Sequence, residues 1–345
     1  MATTATVGRI KGLKAALTQE EIEQFVTARR LKESVKPSSW DKLYRRALTD
    51  YCNFLGKSPD EIIEDRKKTL RHPDEDVQRT HEELLQDFRR HLEERRNRLN
   101  KHKKLSSNYI SSTLNAVVAF YDENYKPLVK PRIPGGVVEK PIHVPTPEEL
   151  GMMLKAMKPE HRMIALAQAQ SGIGLRELLC IRWDSMSRAF GTVKKQVFGE
   201  NELGVVHIDF VREKESVKFD TFFGEATVAC LKTLKPDEGP VFDISRSYYE
   251  QIVKDAAKKV GIPGDVTPHS LRRFFETRLK MLGVLRLELG SVDPDLVEYW
   301  MGHALSGQKR SYFIPPPQEQ AKIYARIQSQ LEPAKDGIVV ERTIS

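Results

Sequence analysis

Four residues in the second half of the chain have side chains suited to chemistry on a phosphate ester. His269 and Arg272 lie three residues apart in TPHSLRRFF, a spacing that predicts one face at the start of a helix. A helix start also directs backbone N–H groups at an anion. Tyr312 follows His303 by nine residues, and a phenol beside a scissile phosphate can attack it to form a phosphotyrosyl ester.

A predicted β-hairpin supplies a candidate proton donor. The runs LGVVHIDF and SVKFDTFF are rich in β-forming residues and are joined by the charged turn VREKE. A lysine at the tip, Lys214, could lie over a bound phosphate and donate a proton to a leaving oxygen. Lys218 is the alternative, because one sequence does not determine the register of a hairpin.

Each candidate taken alone also fits an ordinary structural role. His269 could be a helix N-terminal residue without a ligand, Lys214 an exposed turn lysine, and Tyr312 a half-buried aromatic residue beside Phe313. Their order and spacing taken together favour a shared site.

The elements that must position these residues fall into two regions. Residues 18–126 have helical periodicity in five segments, TQEEIEQFVTARR, PSSWDKLYRRALTDYCNFLG, SPDEIIEDRKK, the long charged DEDVQRTHEELLQDFRRHLEERRNRL and LSSNYISSTLNAVVAFYDENY. Residues 127–146 are rich in proline and predict a linker. Beyond it, the hairpin lies among further helices.

These patterns predict a mainly α protein with a small antiparallel β-hairpin and two domains. We expect a flexible N-terminus over 1–17, a helical domain over 18–126, the linker, a mixed α/β domain over 147–332 and a tail over 333–345.

Composition excludes several classes of protein. The chain has 345 residues, of which 39% are hydrophobic, and no apolar run of the roughly 18 residues that would span a membrane. Without a secretory leader pattern, a cytoplasmic protein is expected. The three cysteines are far apart, which argues against a disulfide framework and a zinc site. The net charge of +8 fits either a polyanionic partner or a basic, solvated surface.

Four segments carry a resemblance to a known family. SGIGLRELLCIRW, VREKESVKFDTFF, TPHSLRRFF and MGHALSGQKRSYF resemble the motifs of the tyrosine recombinases, or phage integrases. The ending SYFIPPPQEQAKIYARI is most similar to the archaeal and archaeal-virus branch. The first region, through KPSSWDKLYRRALTDYCNFLGKSP, is similar to the family's core-binding domain, and the second to its catalytic domain.

The resemblance implies a role for each candidate. Tyr312 is expected to be the nucleophile, His269 and Arg272 the His-x-x-Arg box, His303 the second histidine and Lys214 the hairpin lysine. Basic residues beside these positions are expected to contact DNA, namely Arg212, Lys218, Arg273, Lys309 and Arg310.

The first arginine of the family pattern is the one departure. Aligned without gaps on Thr-Gly-Leu-Arg-x-x-Glu-Leu, the arginine position holds Gly174, while Glu177 and Trp183 keep the register. Arg176 lies two positions later, about 200° around a helix. Either Arg176 is recruited by a local shift, or the position is vacated. The register residues favour the second reading, and Arg176 stays a candidate catalytic residue.

The resemblance implies a site-specific recombinase that cuts and rejoins DNA through a 3′-phosphotyrosyl link, with no cofactor and no metal ion. Its expected partners are double-stranded DNA and further copies of itself, as a tetramer on two DNA sites, acting in the cytoplasm at the nucleoid. Two alternatives stay open. One is a DNA-binding relative whose catalysis is weakened at Gly174, and the other is an enzyme similar to type IB topoisomerases.

Overall fold

The chain divides into two compact units, Met1–Glu139 and Lys140–Ser345. The structure is a computed structural model. It describes seven stretches of the chain, with only the backbone at 39–41, 212 and 283–285; these stretches are residues 39–96, 104–129, 143–212, 217–236, 238–285, 292–303 and 314–334. The predicted helix TQEEIEQFVTARR lies outside them.

The described part of the first unit is helical. Its helices are α1 Ser39–Leu55, α2 Pro59–Leu70, α3 Glu75–Gln78, α4 Thr80–Glu94 and α5 Ser107–Glu123. The first ends before Gly56, which has the positive φ of 68° that favours glycine. The second begins with a reciprocal capping box between Ser58 and Glu61. Both of these boundaries confirm the sequence prediction.

The single long helix predicted from DEDVQRTHEELLQDFRRHLEERRNRL is wrong. The chain breaks at Arg79, between α3 and α4, and α4 ends at Glu94. The buried guanidinium of Arg66 explains the break, since its Nη1 donates to the Gln78 carbonyl at 2.8 Å and so competes with the helical bond. Arg66, on α2, also forms an ion pair with Glu82 on α4, with 2.7 Å between Nη2 and Oε1. A buried cation therefore sets the course of this segment.

The start of the predicted linker packs on the first unit. Arg66 Nη2 donates to the Pro127 carbonyl at 3.0 Å, and the Val129 N–H donates to Glu82 at 2.8 Å. Leu128 is buried in the core of the unit.

The second unit surrounds its hairpin with helices. Its elements are α6 Pro147–Ala156, α7 Pro159–Ser171, α8 Leu175–Leu178, β1 Met186–Ser187, β2 Gly191–Thr192, α9 Val193–Phe198, β3 Val206–Arg212, β4 Val217–Phe223, α10 Glu225–Leu231, α11 Arg246–Lys259, α12 Pro268–Leu285, α13 Pro294–Trp300, α14 Pro317–Ile327 and a 3₁₀ helix Gln328–Leu331. The mainly α fold with a small antiparallel sheet is confirmed.

Strands β3 and β4 form the predicted hairpin, with Val206 opposite Phe223 and Arg212 opposite Val217. Strand β4 does not alternate between exposed and buried residues along its whole length. Lys218 is exposed, but Asp220 and Phe222 on the same face are buried like the opposite face. The hairpin is thus covered on both sides beyond its tip, and its second face carries a buried carboxylate.

Asp220 links the hairpin to the C-terminal part of the unit. Its Oδ2 accepts hydrogen bonds from Tyr299 at 2.8 Å, Gln320 at 3.0 Å and Arg188 at 2.5 Å. Burial acts to raise the pKa of Asp220, but contacts with His207, Tyr299 and Arg188 outweigh it and hold the pKa below its usual range. The carboxylate is therefore charged at neutral pH.

Helix α14 packs on its own unit. Tyr324 is fully buried, and its hydroxyl donates to the Gln170 carbonyl at 2.7 Å. Trp300 donates to Gln320 at 2.7 Å, which joins α13 to α14. In the described stretches, no helix has the length and apolar character needed to cross a bilayer.

The Asp220 network generates a prediction about stability. Asp220→Asn should lower the free energy of unfolding of the second unit by about 3 kcal/mol, because the buried donors Tyr299 and Gln320, and the exposed Arg188, lose a charged acceptor. Hydrogen exchange of the full chain should show the loss in peptides from β4 and α14. Asp209→Asn is the matched control, since Asp209 meets Arg188 at the surface, 3.5 Å away, and should cost about 1 kcal/mol or less. Equal losses in both variants would contradict the role given to Asp220.

Candidate active site

The His-x-x-Arg motif lies on the first turns of α12. Pro268 opens the helix, where its missing N–H costs nothing, and the Ser270 side chain accepts from the Thr267 N–H at 3.1 Å. Ser270 and Leu271 are buried. His269, one turn before Arg272, is exposed.

Arg272 lies buried at the centre of the site. Its Nη1 donates to the Gly172 carbonyl at 2.8 Å, and its Nη2 donates to the Met301 carbonyl at 2.5 Å and to His303 Nε2 at 2.9 Å. The guanidinium thereby joins the end of α7, the start of α12 and the end of α13. The two carbonyls hold the fork of the guanidinium in one orientation.

Two glycines end the helices that supply these acceptors. Gly172 has φ 63° after α7, and a Cβ there would overlap the ring of Phe275. Gly302 has φ 69° after α13, and a Cβ there would lie 2.9 Å from the ring of Phe219. Both positions therefore require glycine for two reasons: the positive φ favours it, and there is no room for a Cβ. His303 follows Gly302 directly, and its backbone N–H donates to the backbone carbonyl of Glu298 at 3.0 Å.

Glu298 holds the imidazole of His303. Its carboxylate accepts from His303 Nδ1, which leaves Nε2 to accept from Arg272. Lys280, on α12, donates to the same carboxylate group at 2.7 Å. Burial acts to raise the pKa of Glu298, but Lys280 and His303 lower it by more, so the group stays charged. Glu298 therefore sets the tautomer and the orientation of His303.

An open cleft of about 480 Å³ lies beside Arg272. Its charged and titratable lining groups are Arg272 and His269 on α12 and three side chains of α11, namely Arg246, Glu250 and Lys254. Gly174 and Leu175 line it from the start of α8. Three permanent cations face one carboxylate, which makes the cleft suited to an anion.

Gly174, and not Arg176, lines this cleft. Arg176 is exposed and is absent from the described lining residues. Gly174 has φ −64° and ψ 146°, a backbone conformation open to any residue. A Cβ at position 174 would overlap a carboxylate oxygen of Glu177, the flexible end of a side chain. An arginine could thus be accommodated at 174 if Glu177 turned away.

The remaining predicted residues are placed only in part. Lys218 is exposed on β4, and Arg273 is half-buried on α12. Arg212 ends β3, with only its backbone described. Four predictions lie outside the described residues: Lys214, Lys309, Arg310 and Tyr312.

The environment of His269 favours its neutral form. Partial desolvation lowers the pKa of His269, and the positive charges of Arg273 and Arg272 lower it further. At neutral pH the imidazole is therefore uncharged and able to accept a proton.

Sequence reasoning missed two features of the site. Glu298 precedes His303 by five residues, a spacing that crosses a helix end and has no helical signature of contact. The second feature is the face of α11 that lines the cleft. In the sequence, its charged residues Arg246, Glu250 and Lys254 show only the four-residue spacing typical of an exposed helix. Nothing in the sequence brings this face to the cleft, which depends on how α11 packs.

Solved structures of similar fold carry the names of recombinases. A lambda integrase dimer bound to a COC′ core site has a TM-score of 0.54 and 11% identity, covering 86% of this chain and 98% of that chain. Lambda integrase bound to DNA has a TM-score of 0.52 and 10% identity, covering 84% and 95%. A post-cleavage complex of the XerH site-specific recombinase with a palindromic difH substrate has a TM-score of 0.51 and 15% identity, covering 88% and 84%.

The chain has the fold of lambda integrase. No family model matches the sequence, and no curated protein matches it. The similarity therefore lies in the three-dimensional arrangement, within which the Arg272 and His303 side chains meet.

The surroundings of His269 generate a prediction about its titration. In an NMR pH titration of the full chain, the His269 imidazole should titrate below the usual histidine range. Arg273→Gln should raise the midpoint, because it removes the larger of the two charge effects. Lys258→Gln, on α11 and away from the cleft lining, should leave it unchanged. If the His269 midpoint does not change in Arg273→Gln, or if it lies above that of a free histidine, the assigned cause is wrong.

Proposed function

We propose that the protein is a site-specific DNA recombinase that cleaves and rejoins strands through a phosphotyrosyl intermediate. The observation that carries the proposal is the Arg272–His303–Glu298 arrangement at the edge of a cationic cleft, in a chain with this fold. A buried guanidinium held by two carbonyls has its geometry set before substrate binds, which is what stabilisation of a developing charge requires.

The proposed reaction conserves the energy of the broken bond. The Tyr312 oxygen attacks phosphorus, and the bond from phosphorus to the 5′-oxygen breaks, which leaves a 3′-phosphotyrosyl ester and a 5′-hydroxyl. His269, neutral at pH 7, accepts the phenol proton. Lys214 donates a proton to the leaving 5′-oxygen. Rejoining is the reverse reaction, with a 5′-hydroxyl as the nucleophile.

Arg272 and His303 stabilise the pentacoordinate phosphate in this scheme. When a phosphate enters, Arg272 exchanges its bond to His303 Nε2 for one to a phosphate oxygen. The imidazole of His303, held in place by the Glu298 carboxylate, lies beside the same phosphate. Side-chain cations supply the positive charge, so the proposed reaction needs neither a metal ion nor ATP.

Double-stranded DNA is the proposed substrate. The structural neighbours named above are complexes with DNA, and the net charge of +8 supports contacts with phosphates. Exchange of strands between two duplexes requires four active sites, which is the reason to propose a tetramer on DNA. The likeness of the C-terminal segment to the archaeal branch stays a prediction.

A second function has one observation in its favour. With no side chain at Gly174 and the Glu177 carboxylate beside it, the chain could bind its DNA site and cleave slowly or not at all. Trapping on a nicked duplex separates this reading from an active recombinase. The topoisomerase alternative predicts relaxation of supercoiled plasmid that lacks a bound site.

The role of Tyr312 is tested by a covalent adduct. The substrate is a duplex selected for binding from a random pool, nicked so that the cut fragment diffuses away. Tyr312→Phe should abolish the adduct and leave DNA affinity within about threefold, because only one hydroxyl is removed. Tyr324→Phe is the matched control. Its hydroxyl is bound to Gln170, and the adduct should persist. An adduct that survives in Tyr312→Phe would assign the nucleophile elsewhere.

The two readings of the first arginine differ in the effect of Arg176. Because Arg176 is exposed and outside the cleft lining, Arg176→Ala should keep single-turnover cleavage within about threefold of the unmutated chain. Arg272→Lys keeps the charge but loses the planar fork, and should slow cleavage by about 10²-fold or more. Loss of cleavage in Arg176→Ala to the same extent would establish the recruited-arginine reading instead.

A further inference from the structure

One face of α11 brings charge to the cleft that Gly174 also lines. Arg246, Glu250 and Lys254 are spaced four residues apart and all line the cleft that Gly174 and Arg272 also line. The helix is not part of any motif that carried the resemblance. Its position supplies cations from outside the family's pattern.

The two cations of this face differ in their partners. Arg246 donates to Glu250 at 2.8 Å and is largely exposed. Lys254 makes no hydrogen bond or ion pair with another described residue and is also exposed. Glu250, one turn before Lys254, is already paired with Arg246. A phosphate entering the cleft would give the Lys254 ammonium group an anionic partner of its own. Lys254 is therefore the cation that gains most from an anion in the cleft.

We propose that Lys254 takes the place of the missing first arginine and holds a non-bridging oxygen of the scissile phosphate. The inference rests on the proposed function and names a further catalytic residue for it. A lysine on a neighbouring helix can serve because its ammonium group is a compact charge on a long, flexible stem. It supplies charge but lacks the two-pronged geometry of arginine.

The Glu177 carboxylate explains why the replacement comes from another helix. A carboxylate oxygen of this side chain already lies where a Cβ at position 174 would be, so it occupies the space at the start of α8. Arg176 lies outside the cleft lining, so the added charge must come from another element that lines the cleft. Lys254, on α11, lines it.

The first test compares two lysines of the same helix. Single-turnover cleavage of the selected, nicked duplex should fall about 10²-fold in Lys254→Met. Lys258→Met removes the same charge one turn further along, outside the cleft lining, and should change the rate no more than about twofold. Equal rates in the two variants would overturn the inference and leave the proposed function intact.

The second test is rescue. Gly174→Arg should restore cleavage in the Lys254→Met background to within about tenfold of the unmutated chain, and should have a smaller effect when Lys254 is present. If Gly174→Arg changes the cleavage rate by the same factor with and without Lys254, residues 174 and 254 act independently, and the inference is overturned.

The third test separates charge from structure. On the same duplex with a methylphosphonate at the scissile position, which has no negative charge, the rate ratio between the unmutated chain and Lys254→Met should shrink towards one. A ratio that stays at its phosphate value would give Lys254 a merely structural role. If neither the unmutated chain nor Gly174→Arg forms an adduct with Tyr312, the proposed function fails, and this inference fails with it.

Discussion

A buried guanidinium must have acceptors, and those of Arg272 determine how the second unit is built. Two of them are carbonyls at the ends of α7 and α13, which have no partner within their own helices. The arginine therefore satisfies both helix ends while they hold it. Neither end could move without leaving a charge or a carbonyl unpaired in a dry environment, which costs several kcal/mol.

The same constraint accounts for the rest of the site. Gly302 ends α13 so that the next residue, His303, meets the arginine, and Glu298 orients that imidazole from the last turn of α13. Residues that would act on a phosphate are thus placed by helix ends, which are also where backbone groups and dipoles are available. Charge in the cleft is then adjusted by α11, which contributes both cations and a carboxylate.

Local signals in the sequence predicted much of this arrangement, and long-range packing accounts for what they missed. Caps at Ser58 and Thr146 and the glycines at 56 and 172 are signals of helix ends that depend only on a few adjacent residues. The break at Arg79 was missed because its cause, Arg66, lies in another helix. The burial of Asp220 was missed because its partners come from segments far along the chain.

The hydrogen bonds between early and late residues of the second unit also determine when it can fold during synthesis. Tyr324 reaches back to Gln170, Gln320 to Asp220, and the Ala334 N–H to the Pro147 carbonyl at 3.2 Å. The first unit makes its described contacts within residues 39–129 and can fold while translation continues. The second must wait until the ribosome has released residue 334, because the hairpin and α7 lack their partners before then. A nascent chain thus presents a folded first unit well before it has a complete cationic cleft.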